Sequence, residues 1–156
     1  MSIVVMGVSG SGKTTIGKLL AARLGRAFLD GDDFHPRANV EKMAAATALT
    51  DEDRRPWLAL LNEKLRQDRK AVLACSALKQ SYRGILSEGL SDCRFVHLRG
   101  SIELIRSRLE KRRHRYMPAS LLESQFAALE RPAQAIRVDI DQTPQRCVEE
   151  IVAALT

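Results

Sequence analysis

Cysteine is scarce in this chain, and so are aromatic residues and long apolar runs. The three cysteines, Cys75, Cys93 and Cys147, are odd in number and far apart in a chain of 156 residues. Such spacing excludes a disulfide framework and fits a reducing, cytoplasmic compartment. No apolar run approaches the ~20 residues that a membrane helix needs. The opening MSIVVMGVSG has no basic start and no cleavage site, so a soluble, non-exported protein is expected. Aromatics make up 4% of the chain, too few for the stacking platforms that hold single-stranded nucleic acid. Internal repeats, low-complexity tracts and Pro/Ser-rich linkers are missing too, which leaves a single domain over residues 1–156.

What is present is ordinary globular material, 45% hydrophobic and 28% charged, with a net charge of +6. A basic balance suits an anionic partner: nucleic acid, an acidic membrane surface, or a small phosphorylated or carboxylated substrate. Much of the charge crowds into one stretch, with Arg106, Arg108, Lys111, Arg112, Arg113 and Arg115 around a lone acid, Glu110. A run of this kind is a solvated helix face unless its surroundings say otherwise.

Five short apolar runs read as strands, at 2–6, 27–30, 71–75, 94–98 and 136–140. Most are apolar at consecutive positions rather than alternating, the pattern of a parallel sheet covered on both faces. Residues at helical spacing, nearly all of them apolar, lie between and after them. They are Ile16, Leu19, Leu20 and Leu24; Leu58, Leu61 and Leu65; and Leu78, Tyr82, Ile85 and Leu86. Further on come Ile102, Ile105 and Leu109; Leu121, Leu122, Gln125, Phe126 and Leu129; and Val148, Ile151, Val152 and Leu155. Thr50 ahead of Asp51, Glu52 and Asp53 has the capping-box pattern, and Pro118 stands where a helix-opening proline belongs. Strands alternating with helices give an α/β fold with a parallel sheet and right-handed crossovers.

The segment Gly7-Val8-Ser9-Gly10-Ser11-Gly12-Lys13-Thr14 matches G-x-x-x-x-G-K-[ST] in full, between a buried strand and an amphipathic helix. Glycines let the backbone wrap a phosphate chain, so that N–H groups and a helix N-terminus face negative charge. Lys13 reaches the β- and γ-phosphates, and the Thr14 hydroxyl is a ligand for Mg²⁺. Nucleoside triphosphate binding follows. The guanine-reading Asn-Lys-x-Asp motif is absent, and 156 residues leave no room for a second ATPase module. Neither a GTPase nor a motor fits, and a small phosphotransferase remains.

Three further features bear on that reading. Asp30-Gly31-Asp32 closes the second strand, where open α/β sheets face their ligands. On extended chain the two carboxylates point to opposite sides, one toward a hydrated Mg²⁺ and one toward a substrate hydroxyl. The same triplet is also good turn chemistry. After the third strand stands Cys75-Ser76, where many P-loop enzymes carry a metal-contacting acid, so that acid has to be Asp30. Lys79 and Arg83, four apart, read as one helix face able to receive a carboxylate or phosphate, or as plain solvent-exposed charges. The basic run leads through Tyr116-Met117-Pro118 into another helix, a lid-like arrangement whose arginines offset charge on a transferring phosphoryl group.

Taken together, GVSGSGKT, FLDGDDFHPRANVEKM, LTDEDRRPWL, CSALKQSYRGIL, LLESQFAALERP and VDIDQTP resemble gluconokinases of the shikimate-kinase-like P-loop group, nearly end to end. The resemblance implies a three-layer α/β fold, a five-stranded parallel sheet flanked by helices. It also implies a mobile lid near 108–120 and an acceptor-binding segment near 32–56. The implied activity is transfer of the γ-phosphate of ATP, with Mg²⁺, to the 6-hydroxyl of D-gluconate, in a homodimer.

Carried onto this sequence, Gly7 to Thr14 together with Thr15 hold the nucleotide, and Thr14 and Asp30 sit near Mg²⁺. Lys13 and Asp32 are the catalytic pair, with His35, Arg54, Lys79 and Arg83 also around gluconate. Arg108 and Arg112 are lid arginines, while Asp141, Gln142 and Pro144 lie beside adenine. The family reads Gly-His-Phe or Gly-His-Tyr in its lid, and this chain has His114-Arg115-Tyr116. Against shikimate kinase itself stands Cys75-Ser76-Ala77, in place of a glycine triplet. His97, on a strand, is expected to be structural. Neither nucleic acid nor membrane is an expected partner. The rival from another class, a non-catalytic nucleic-acid-binding module using the basic run, leaves Asp30 and Asp32 unexplained.

Overall fold

The computed structural model describes residues 1–111 and 119–156. The chain begins with β1 (Ser2–Met6), α1 (Lys13–Leu24) and β2 (Phe28–Asp30), followed by a 3₁₀ turn (Gly31–Phe34). Next come α2 (Arg37–Ala44), α3 (Asp51–Gln67), β3 (Val72–Ala74), α4 (Gln80–Ser87) and β4 (Cys93–Arg99). The last elements are α5 (Ile102–Glu110), α6 (Ala119–Ala128), β5 (Ile136–Asp139) and α7 (Pro144–Leu155). Every expected strand is present, displaced by no more than one residue at either end. Pro118 lies outside the described residues.

The strands form one sheet in the order β2-β3-β1-β4-β5, with every pairing parallel. Val4 of β1 is in register with Leu73 on one side and Phe95 on the other, and all of β1 is buried. A central strand covered on both faces accounts for the unbroken apolar run. Its alternate side chains enter two cores. Ile3 and Val5 pack with Leu20 of α1 and with Val148 and Ile151 of α7. Val4 and Met6 pack with Leu58, Leu61 and Leu65 of α3 and with Leu86 of α4. Each such aliphatic side chain stabilises the fold by about 1.5–3 kcal/mol.

The capping box at α3 is complete. Thr50 Oγ1 accepts the Asp53 N–H at 3.1 Å, and Asp53 Oδ2 accepts the Thr50 N–H at 2.9 Å. This fixes the start of the helix that carries Arg54 and Trp57.

Two features depart from the sequence reading. The helix α2 has no apolar stripe, since Val40 and Met43 are exposed and only Asn39 is buried, so no periodicity announced it. Asp30-Gly31-Asp32 does not continue as extended chain. Asp30 Oδ1 accepts the Asp32 N–H at 3.0 Å, and the backbone winds into the 3₁₀ turn. The two carboxylates are separated by this turn and not by strand alternation.

His97 is buried in β4, and burial, aided by Arg99 and nearby arginines, lowers its pKa to about 4. In the unfolded chain the imidazole titrates near 6.5, so protonation favours unfolding. The stability it allows is complete above about pH 6.5 and is lost as pH falls toward about 4. In a calorimetric pH series the melting temperature is expected to drop over that interval, and to drop less in His97→Gln.

Candidate active site

At the end of β1 the chain enters the glycine-rich loop. Gly10 holds φ at +83°, and a Cβ there would lie 2.8 Å from Leu109 Cγ, so only glycine fits. Gly12, with φ at +94°, is the N-cap of α1. No described side chain caps this helix, which leaves its positive end for an anion. Lys13 Nζ donates to the carbonyls of Gly7 and Val8, both at 3.0 Å, and so lies over the loop. Ser9 is gripped from α6: its N–H donates to Gln125 Oε1 at 2.8 Å, and Gln125 Nε2 donates to Ser9 Oγ at 3.1 Å. Gln125 interrupts an otherwise apolar stripe in the sequence, and this contact is the reason.

Beside the loop lies a cavity of about 220 Å³, lined by Gly10, Ser11, Gly12 and Thr15 together with Arg108, Gln142 and Pro144. The structure thus brings four expected nucleotide residues from outside the glycine motif to one wall. Arg108 is steadied there by donating to the Ile140 carbonyl. Asp141 does not line this cavity. It borders a larger opening of about 730 Å³ beside the β4–β5 edge, and its N–H donates to Asp139 Oδ1. Arg112, His114 and most of the expected lid lie outside the described residues. In the described part of the basic run, Arg106 pairs with Glu123 at 3.5 Å and Arg108 is engaged as above, so two of its cations have local partners.

On the other side of the loop, Thr14 Oγ1 donates to Asp30 Oδ2 at 3.2 Å. The turn after Asp30 is pressed against β3: a Cβ on Gly31 would lie 2.7 Å from the Ala74 carbonyl oxygen. Trp57 Nε1 donates to the Gly31 carbonyl at 2.7 Å and holds the turn there. Asp32 is exposed, with Oδ1 4.0 Å from His35 Nε2. The His35 ring stacks on Trp57 at 4.0 Å between centroids, and its Nδ1 is 3.3 Å from Asn39 Nδ2. Burial lowers the His35 pKa, against the opposing pull of Asp32. The imidazole is therefore neutral at pH 7. With Nδ1 accepting from the Asn39 amide, its proton sits on Nε2, facing Asp32.

Burial pushes the Cys75 thiol up to about 12, which excludes it as a nucleophile. Arg54 Nη1 donates to the Leu49 carbonyl at 2.7 Å and to the Tyr82 hydroxyl at 3.2 Å. Lys79 Nζ reaches Asp51 Oδ1 at 3.1 Å. Trp57, Gln125, Asp51 and Tyr82 were not singled out as site residues from the sequence.

Lys79 and Arg83 do not share a face. Lys79 is the extended N-cap residue of α4, so helical spacing does not yet apply to it. Arg83 is buried and donates to the carbonyls of Ala77 at 2.6 Å and Glu130 at 2.7 Å, and to Gln80 Oε1 at 3.2 Å. Three of the donor contacts of this expected acceptor residue therefore go to the protein itself. Arg83 braces the loop after β3, where Ala77 is held at φ +46°, an unfavourable region for alanine. Arg83→Ala leaves buried carbonyls without donors, and is expected to lower the melting temperature by roughly 10 °C in a thermal melt.

The shikimate kinase family profile matches residues 9–156. A gluconokinase of Gluconobacter oxydans is 49% identical over 157 residues, covering 96% of this chain and 88% of its own. The thermosensitive gluconokinase of Escherichia coli is 42% identical over 164 residues, covering 97% of this chain and 88% of its own. Among solved structures, a gluconokinase from Sinorhizobium meliloti superposes with a TM-score of 0.93 at 43% identity, covering 99% of this chain and 90% of that one. The nucleotide loop, the acid at the end of β2 and these likenesses agree: the chain belongs to the gluconokinase family of P-loop kinases.

Proposed function

We propose that this protein phosphorylates D-gluconate with ATP, giving 6-phospho-D-gluconate and ADP. The observation that carries the reading is the 3.2 Å contact of Thr14 with Asp30. It sets an acid from β2 against the nucleotide loop and leaves Asp32, one turn further on, free of that duty.

Two hard oxygen donors side by side suit Mg²⁺, and Thr14 and Asp30 are the residues that would hold it. Mg²⁺ bound with the nucleotide offsets charge on the β- and γ-phosphate oxygens. Lys13 adds its own positive charge at the phosphates, and Arg108 faces the nucleotide cavity, with Arg112 as its expected lid companion. Asp32 orients the 6-hydroxyl and accepts its proton as that oxygen bonds to the γ-phosphorus. The bond from phosphorus to the bridging oxygen breaks and ADP departs with the electron pair. His35, with Nε2 4.0 Å from Asp32 Oδ1, borders the carboxylate on its protein side. Arg54 and Lys79 receive the anionic end of gluconate, and the basic excess of the chain draws in both anions.

An ADP-release assay over sugar acids, neutral sugars and shikimate tests the reading. Turnover on gluconate is expected, and turnover on shikimate alone overturns it. The same reading carries a homodimer and a cytoplasmic location, the first tested by light scattering at assay concentration. Among the described residues no helix is long and apolar enough to cross a membrane.

A further inference from the structure

Four side chains at the acceptor end are tied into one unit. The Tyr82 hydroxyl donates to Asp51 Oδ1 and accepts from Arg54 Nη1 at 3.2 Å, while Lys79 Nζ donates to the same Asp51 oxygen at 3.1 Å. The Tyr82 ring also supports both cations, with Arg54 Cζ 5.4 Å and Lys79 Nζ 5.6 Å from its centroid. Arg54 in turn acts electrostatically on His35, which faces Asp32. His35 also stacks on Trp57 and is tied through Asn39 to the Asp53 carbonyl, so Asp32 and this four-residue unit both border the start of α3.

The charges in this unit do not cancel. Arg54 and Lys79 bring two positive charges, and Asp51 brings one negative. The nearby Asp53 is already matched by Lys42 at 2.7 Å. One positive charge is left over, on a surface next to the proposed base. The protonation states are fixed by the contacts themselves. Hydrogen bonds from Tyr82 and Lys79 hold the Asp51 carboxyl below its usual range. The bond to Asp51 raises Lys79, and burial raises the Tyr82 phenol.

We propose that Tyr82 and Asp51 are positioning residues for the carboxylate of the substrate. They hold Arg54 and Lys79 as a cation pair with one charge in surplus, which the single carboxylate of a sugar acid completes. The inference rests on the gluconokinase reading and deepens it. It orients gluconate, with C1 at the Tyr82 end and the reacting hydroxyl at Asp32, and makes the site selective for a monoanion.

Tyr82→Phe keeps the ring and removes the hydroxyl. The KM for gluconate is expected to rise about tenfold, with kcat and the KM for ATP changing less than about twofold. The preference for gluconate over its neutral amide should fall by a similar factor. Asp51→Asn raises the surplus to two charges, so the use of dianionic glucarate relative to gluconate is expected to increase. This variant also carries the test if Tyr82→Phe does not fold. Wild-type protein without turnover on gluconate overturns the kinase reading and this inference together. Wild-type turnover with an unchanged gluconate KM and amide ratio in Tyr82→Phe, or an unchanged glucarate ratio in Asp51→Asn, overturns the inference alone. Equal rises in KM for gluconate and ATP with a lowered melting temperature also overturn it, because they mark a merely structural role.

Discussion

Asp32→Asn is expected to lower kcat on gluconate by about 10²–10⁴-fold while the KM for ATP stays near the wild-type value. A primary hydroxyl is a poor nucleophile at neutral pH, and the proposed task of Asp32 is to orient it and take its proton. Asparagine keeps the size and a hydrogen bond but has no basicity. The nucleotide loop is untouched, because the Asp32 side chain faces His35 and not Thr14. Asp30→Asn makes the contrast: it weakens the oxygen pair with Thr14, so the Mg²⁺ concentration for half-maximal activity is expected to rise. Steady-state rates over a Mg²⁺ series measure both. Near-normal turnover in Asp32→Asn, or rescue of its defect by excess Mg²⁺, removes Asp32 from the role of base.

The second large effect is expected at Lys13. Lys13→Met removes a charge whose proposed task is to meet the β- and γ-phosphates, in the ground state and in the transition state alike. A loss on the order of 10²-fold or more in kcat/KM is expected. The same side chain donates to the carbonyls of Gly7 and Val8, so part of any loss belongs to the shape of the loop. Circular dichroism melts of the variant separate the two contributions. A variant with near-wild-type turnover would show that phosphate is not handled at this loop.

Much of the architecture was legible because burial writes itself into composition. The run of β1 is apolar at consecutive positions because helices cover both faces of the central strand, and its limits were read without error. The helix α2 was illegible for the opposite reason: with Val40 and Met43 exposed, no core imposes a period on it. In the site, the glycine loop follows from local motif chemistry, whereas the direct contact of Thr14 with Asp30 joins two elements and is a tertiary fact. The extended reading of Asp30-Gly31-Asp32 failed because a side chain competed for the backbone: the Asp30 carboxylate accepts the Asp32 N–H and starts a turn. Lys79 and Arg83 diverge because one precedes the helix and the other lies within it. That Arg83 would spend its donors on Ala77 and Glu130 depends on a segment 47 residues away, which no local spacing encodes. Asp51 was visible as a helix-starting acid, and its partnership with Tyr82 is likewise a tertiary fact.

The two cores on opposite faces of the sheet also divide the molecule's heredity. Lys13 and Thr14 open α1, and Gln142 and Pro144 border the start of α7, helices that share one core. Arg54 and Trp57 belong to α3 and Tyr82 to α4, with Lys79 at its mouth, and these helices share the other. Thr14 to Asp30 is a direct tie between the donor half and the strand end that leads to the acceptor half. Substitutions on α3 and α4 that leave Trp57 and its hold on the turn after Asp30 intact can therefore accumulate away from the nucleotide loop. A lineage built on this plan can exchange one acceptor for another while inheriting its phosphate donor unchanged.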